Sequence, residues 1–399
     1  MKSETPRSFP LCYDPTSSDR PAARQSRSAL AVFLTAILAP RAILFLDCAV
    51  WFTALAGCRQ ADATARPIAS WLGTTMGTQY TVRIAEPPDG VGLPLLKHRI
   101  TSRLDAINRQ MSTYLPESEI SRFNRVESPD WFPVSADVVR VVAAALEVSR
   151  STAGAFDVTV GPLVNLWGFG PAGRSATVPA AEAVAACRSR VGYGLLQVRA
   201  DPPALRKRRA DVHVDLSAIA KGFAVDEVAR ILERHRVRGY LIEIGGEVRT
   251  CGRKSDGGLW RVGIERPVVD GRAIACVIEL EGQSLATSGD YRNYFEQQGR
   301  RYSHAIDPRT GRPVEHGLVS VSVLASDCMT ADAWATALMV LGPEAALPMA
   351  RRHGLDVLCM IRTTAGVVER TTPGFAARIT GSASSGGEPP IGAGSEARR

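Results

Sequence analysis

Asp332 and Thr336 stand four residues apart in DCMTADAWAT, a stretch of small and apolar residues that reads as helix, so their oxygens share one helix face. A carboxylate and a hydroxyl oxygen on one face suit a hard cation such as Mg2+, which takes oxygen ligands and keeps waters and substrate phosphates. Both are expensive inside an apolar helix unless satisfied. The alternative is a threonine bonding its own helix and an aspartate answering the dipole near the N-terminus. A second constellation is DLSAIAKGFAVD, Asp215 to Asp226. A strand ends there in a carboxylate, and small residues lead straight into a helix whose first N–H groups form a ready anion site. Lys221 in the first turns can reach a phosphate, and Asp215 can accept from a base or a hydroxyl. A capped strand-to-helix junction would look the same. No GxxxxGKS/T is present, which excludes a P-loop.

Two further groups are polar beside glycines. Met76-Gly77-Thr78, Tyr114 and Ala155-Phe156-Asp157 offer a thioether, an aromatic ring and an acid that can clamp a flat ring, although each alone reads as core. The stretch from Ser284 to Pro313 reads as strand, turn, strand, turn. Ser288-Gly289-Asp290 is a breaker cluster after a short apolar run. Asn293 to Gln297 and Tyr302 to Ile306 pair about a Gln298-Gly299 turn. Asp307 to Gly311 is a turn in which the Asp side chain bonds its own backbone and Pro presets φ. Two polar loops thus lie close to His304, unless these are two ordinary hairpin turns and a paired surface histidine.

The elements that must position these groups mix without regular βα alternation. Strands are expected at Gln79–Ile84, Val212–Leu216, Tyr240–Ile244, Trp260–Glu265, Ala273–Leu280, Leu318–Leu324, Val357–Ile361 and Gly366–Glu369. Helices are expected at Leu95–Met111, Ala136–Ser151 behind a Ser135 cap, Ala180–Arg190, Ala220–Arg236, Thr330–Leu341 and Glu344–His353. There is no internal repeat. The pattern gives an α+β fold, a single domain with mixed, mostly antiparallel sheets and packed helices.

The chain has 399 residues, 45% hydrophobic and 22% charged, which places it among globular chains. Its formal charge is +8, without a basic stripe interleaved with aromatics, so nucleic acid is not an expected partner. The cluster Arg206-Lys207-Arg208-Arg209 reads as a solvated hairpin tip. Residues 1–57 read as a leader: a polar, Arg-containing start, then apolar runs ending in Leu55-Ala56-Gly57-Cys58. Small residues before a cysteine, after an apolar core, form a lipoprotein-type secretory signal with Cys58 as the acylated mature N-terminus. A short transmembrane anchor is the alternative. Setting aside six basic and four acidic residues of the leader leaves +6. Residues 58–70 read as a tether, 71–380 as the folded domain, and 381–399, rich in Gly, Ser and Pro, as a disordered tail. Cys187, Cys251, Cys276, Cys328 and Cys359 are widely spaced with no CxxC pair, which reads as buried small apolar residues and not as a disulfide framework or a zinc site.

MGT, DLSAIAKGFAVD, IEIGGEV, TSGDYRNYF, HAIDPRTGRP and ADAWATALMVLG follow one another here in the order found in the ApbE family, the FAD:protein FMN transferases once described as thiamine-biosynthesis lipoproteins. The chain resembles that family over roughly residues 71 to 375, and GPLVNLWGFGP is similar to its proteobacterial lipoproteins. The resemblance implies a T-fold-related domain. It implies Mg2+-dependent transfer of the FMN moiety of FAD to a Thr or Ser hydroxyl of a target protein, with release of AMP. It places Mg2+ on Asp332, Thr336 and the Ala218 carbonyl. It places FAD on Met76, Tyr114, Ala155, Phe156, Asp157, Asp215, Lys221 and Ile306, with His304 beside the phosphates. The general base is left open between His304 and a nearby Asp. The implied acceptor is an exported or membrane-associated protein such as a redox-complex subunit, and the implied location is the periplasmic side of the inner membrane, by a lipid anchor. Some relatives carry Asp where Ala335 stands, which leaves this site one carboxylate fewer. Competing readings are a metal-dependent FAD pyrophosphatase, with water as nucleophile, and a non-catalytic FAD-binding lipoprotein.

Overall fold

A computed structural model describes residues 68–382 apart from 88–91, 172, 174–176, 269–272 and 292. The chain divides into two units, 1–62 and 63–399, and all the described residues belong to the second. Cys58, the leader and most of the predicted tail therefore lie outside the described residues.

In chain order, β1 (Ala69–Thr75) and β2 (Thr78–Ile84) precede α1 (Leu93–Met111), α2 (Glu119–Arg125), β3 (Phe132–Pro133) and α3 (Ala136–Ser151). α4 (Gly161–Leu166) and α5 (Ala181–Arg188) lead to β4 (Leu196–Arg199) and β5 (Ala204–Lys207). Then come α6 (Ala220–Arg234), β6 (Tyr240–Ile244), β7 (Glu247–Cys251), β8 (Trp260–Glu265), β9 (Ile274–Leu280) and β10 (Ser284–Gly289). Two small hairpins follow, β11 (Tyr294–Gln297) with β12 (Arg300–Ser303), and β13 (Ile306–Asp307) with β14 (Arg312–Pro313). β15 (Leu318–Ala325), α7 (Cys328–Leu341), α8 (Pro343–Arg352), β16 (Asp356–Thr363), β17 (Gly366–Thr371), α9 (Pro373–Ala376) and β18 (Ile379–Ser382) complete the domain.

Eight strands form one antiparallel sheet in the order β1-β2-β6-β7-β10-β15-β16-β17. Side chains alternate across a strand, so each strand feeds two cores. On β16, Val357, Cys359 and Ile361 enter the core beneath the helices, while Leu358 and Met360 face a second core. That second core is closed by the β18-β9-β8 sheet, through Trp260, Val262, Ile264 and Ile278. On the helical side α7 is buried on nearly all faces and packs on α6, β10 and β15. Its apolar composition all round is that of a central helix. Asp327 caps it by accepting from Thr330 N–H at 2.8 Å, and Gly342 ends it at φ 80°. Among the described residues no helix is long and apolar enough to cross a membrane.

Most expected elements are present within a residue or two, and the α+β architecture is as read. Five details differ. The strand expected at Tyr302–Ile306 is instead Arg300–Ser303, because Ile306 leaves that hairpin to pair with Pro313 in the next one. Val212–Leu216 forms no strand. Its backbone is held by the Asn124 side-chain amide, which donates to Val214 O (2.9 Å) and accepts from Val214 N–H (2.7 Å). Ser288 and Gly289 do not break β10, because they continue its pairing with β15 as far as Ser320. Lys207 is not solvated: it is buried over the Phe123 ring and donates to the carbonyls of Asn124 (3.0 Å) and Val212 (3.3 Å). Finally, β1 takes in Ala69 and Ser70, and β18 runs to Ser382. The five described cysteines are free, and four of them are buried.

Candidate functional site

The site is built on the contact between α6 and α7. Gly222 lies in the first turn of α6, where a Cβ would sit 2.3 Å from the Cys328 carbonyl oxygen and 2.8 Å from Asp332 Cβ. The absent side chain lets the two helices close. Gly222 N–H then donates to Asp332 Oδ2 at 2.9 Å. A second aspartate works in the opposite direction. Asp226, on α6, accepts from the N–H groups of Cys328 (3.0 Å) and Met329 (2.9 Å) at the start of α7, and from Arg249 Nη1 (2.6 Å). Each helix thus carries a buried carboxylate that ties down the backbone of the other.

Glu247 enters the same place from the sheet. It opens β7 just after the Gly245-Gly246 turn, and its Oε1 lies 2.6 Å from Lys221 Nζ. Its Oε2 is buried without a hydrogen-bond partner. Burial pushes the Glu247 carboxyl well above the usual carboxylate range; the Lys221 charge pulls it down and the Asp332 charge raises it again. Burial also raises Asp332, opposed by Lys221 and by the Gly222 N–H. Met76 and Gly77, at φ 50° and 71°, make the turn between β1 and β2. Because β2 pairs with β6, this turn lies beside Gly245, where a Cβ would be 2.8 Å from Thr78 Cγ2 and 3.4 Å from Lys221 Cδ. Thr336 is half-buried one turn beyond Asp332, whereas Ala335 belongs to the hydrophobic core.

The segment before α6 meets the loop of Ala155-Phe156-Asp157. Asp215 N–H donates to Val158 O at 2.7 Å, and Val160 bridges His213. Asp215 Oδ1 accepts from the N–H and hydroxyl of Ser217, which fixes the turn carrying Ala218. Asp157 is committed to its own loop: it accepts from Thr159 N–H (2.8 Å), Thr159 Oγ1 (2.7 Å) and Tyr193 N–H (2.6 Å). Burial raises its pKa against the pull of those bonds. Ala155 and Phe156 are buried.

His304 follows the β11–β12 hairpin. Its Nδ1 lies 3.0 Å from the Asn293 carbonyl, which can only accept, so Nδ1–H is the donor there and Nε2 is the ring nitrogen turned to other partners. Ile306 is buried with Leu163, Trp167 and Val184, and Trp167 Nε1 donates to Gly311 O at 2.9 Å. Tyr114 lies on the turn after α1 and is 64% exposed. Direct contacts therefore join Lys221 and Asp332 to the α6–α7 junction, and join Asp157 and Asp215 through Val158. Tyr114, His304 and Ile306 stand on separate elements.

Sequence reasoning missed Glu247, Gly222 and Asp226. Glu247 carried a signal, an acid just past a Gly-Gly turn at the start of a strand. Gly222 and Asp226 carried none, because their partners lie about a hundred positions away. The donor set suits a hard cation. Two buried carboxylates, Asp332 and Glu247, face one ammonium, and one carboxylate oxygen is orphaned. Among the described residues no three His, Cys, Asp or Glu side chains gather as chelators. A cation here would draw on hydroxyl, carbonyl, water and substrate oxygens, as Mg2+ does.

Residues 76–359 match the model of the ApbE family. The chain is 46% identical over 303 residues to the FAD:protein FMN transferase of Vibrio cholerae serotype O1, covering 76% of this chain and 90% of that relative. It is 40% identical over 321 residues to the FAD:protein FMN transferase of Escherichia coli K12, covering 79% and 90%. Among solved structures, the flavin transferase ApbE from Vibrio cholerae superposes with a TM-score of 0.73 at 42% identity, over 78% of this chain and all of that one. The apo flavinyl transferase ApbE of Pseudomonas stutzeri gives 0.72 at 40% identity, over 78% and 96%.

Proposed function

This chain belongs to the ApbE family, and on that premise we propose that it transfers the FMN moiety of FAD to a threonine or serine hydroxyl of an acceptor protein, releasing AMP. One observation carries the reading beyond sequence similarity: Lys221, Glu247 and Asp332, from three distant motifs, meet at one helix junction.

The acceptor oxygen attacks the phosphorus attached to riboflavin. A new P–O bond forms, the diphosphate P–O bond to AMP breaks, and the hydroxyl proton passes to a base. Nε2 of His304 suits that base, with Nδ1–H held by the Asn293 carbonyl. Lys221 supplies a fixed positive charge for the diphosphate, and Asp215 an acceptor for a base or hydroxyl of the dinucleotide. Met76, Tyr114, Phe156 and Ile306 offer apolar and aromatic surface for its rings, and the loop of Ala155 and Asp157 a rigid wall. Asp332, Thr336 and the Ala218 carbonyl would hold Mg2+, which supplies electrostatic stabilisation of the charge building on the leaving phosphate. Positioning and electrostatics are the main demands of phosphoryl transfer.

The test is incubation with FAD, Mg2+ and candidate exported acceptors, read by in-gel flavin fluorescence. Acceptor labelling with stoichiometric AMP is expected. FMN and AMP released without any labelled acceptor would favour a pyrophosphatase instead. Anchoring through an acylated Cys58 to the periplasmic face of the inner membrane completes the proposal. It rests on the Leu-Ala-Gly-Cys run after an apolar stretch. Cys58→Ser is expected to abolish lipid labelling, and unchanged labelling would remove this part of the reading.

A further inference from the structure

Glu247 is an acid where a fold needs none. Its side chain is 2% exposed, while that of its partner Lys221 is 24% exposed. Taking a carboxylate out of water costs several kcal/mol even after relaxation, and a buried ion pair is weak evidence for stability. The pair is also lopsided. The acid is sealed inside, between the sheet and the α6–α7 junction, while the base reaches solvent. Such a geometry shields the acid from solvent and holds the ammonium where a ligand can reach it.

The surroundings narrow the ligand class. Lys221 lies in the first turn of α6, the positive end of the helix dipole, where anions are favoured. Its aliphatic stem passes the Gly245 turn, which packs on the Met76–Thr78 turn. A free lysine side chain carries considerable rotamer entropy. Holding the ammonium at 2.6 Å from a buried carboxylate removes most of that freedom before a ligand arrives, the kind of preorganisation that raises affinity. Glycine at 245 is required for this arrangement. Its φ is +59°, and a Cβ would press Thr78 and come into contact with the Lys221 stem.

We propose that Glu247 is a positioning residue: it fixes the Lys221 ammonium so that this corner of the site reads the diphosphate of the dinucleotide substrate and not its flavin ring. The inference rests on the reading of FAD as substrate. It goes beyond that reading by giving the IEIGGEV motif a task and by separating phosphate recognition from ring recognition.

The experiment is a set of equilibrium titrations with FAD, ADP and riboflavin at fixed Mg2+, on wild type, Glu247→Gln, Lys221→Met and the double variant, with melting temperatures alongside. Gln is isosteric with Glu and still accepts from Lys221, so it removes the charge without opening a cavity. Each single variant is expected to weaken FAD and ADP about tenfold, the scale of one charge-assisted hydrogen bond, and to leave riboflavin unchanged. The double variant is expected to bind FAD no more weakly than Lys221→Met alone, because Glu247 acts through the lysine. If Lys221→Met leaves Glu247 uncompensated and fails to fold, the neutral double variant replaces it in the comparison with Glu247→Gln. Multiplying losses in the double variant, equal weakening of riboflavin, or unaltered FAD binding in Glu247→Gln would each overturn the positioning role. A wild-type protein that binds riboflavin and not FAD would instead overturn the substrate reading itself.

Discussion

Asp226 and Asp332 are two buried aspartates, 1% and 5% exposed, on two helices that touch. Both lie at the α6–α7 junction and both accept backbone N–H groups across it. Asp226 receives two N–H groups and an arginine, so both oxygens are engaged and the charge is matched. Asp332 receives the Gly222 N–H, and around it stand a second buried acid with an orphaned oxygen and one lysine. A carboxylate saturated by its own fold ties that fold together and has little left to offer a ligand. One left short of partners in a buried place keeps acceptor capacity that the fold does not use. Asp157 falls on the first side of this division, with three internal donors. Its task is then to shape the loop that carries Ala155 and Phe156.

Three substitutions sharpen the contrast. Asp226→Ala leaves the Cys328 and Met329 N–H groups without their acceptor and leaves Arg249 with only the longer contact to Glu233, a loss of about 3–5 kcal/mol when one partner of a buried pair is deleted. Chemical denaturation should show it, while transfer per folded molecule falls far less than stability does. Equal losses in both would blur the division. Gly222→Ala forces a methyl group against the Cys328 carbonyl and Asp332. Overpacking of this kind costs about 1–3 kcal/mol, and because the shift moves Asp332, transfer should fall together with the melting temperature. Thr336→Val keeps the shape of the side chain and removes a neutral oxygen that water can replace. It should leave stability near wild type and reduce transfer about tenfold, the effect of one modest hydrogen bond. A larger loss than at Asp332 would reverse the ranking of the two residues.

Much of the frame was legible in the sequence because local periodicity carries it. Leu96, Ile100, Leu104 and Ile107 recur on one face of α1 and are all buried. Ser135 caps α3 as its position suggested, accepting from Val138 N–H. What was not legible depends on partners far along the chain. Val212, Val214 and Leu216 alternate like a strand and are buried like one, yet Val214 pairs with the amide of Asn124 on α2 and the segment meets backbone distant in sequence at Val158 and Val160. Lys207 sits in a run of four basic residues, and the carbonyls of Asn124 and Val212 with the Phe123 ring explain its burial. The motifs singled out Lys221 and Asp332, which the fold brings to one junction, while the contacts of Gly222, Asp226 and Glu247 emerged from the closure of two helices on a sheet.

The central claim is that Asp332 keeps its acceptor capacity for chemistry. Asn at this position retains an oxygen for the Gly222 N–H and removes the charge. Single-turnover FMN transfer from FAD to an acceptor protein, measured for wild type and Asp332→Asn across a range of Mg2+ concentrations, tests it most directly. The account predicts a fall of about 10²–10³, the usual cost of removing one transition-state electrostatic contact, with an altered Mg2+ dependence, a melting temperature near wild type and FAD binding much less affected. Transfer at the wild-type rate with the same Mg2+ dependence would contradict it.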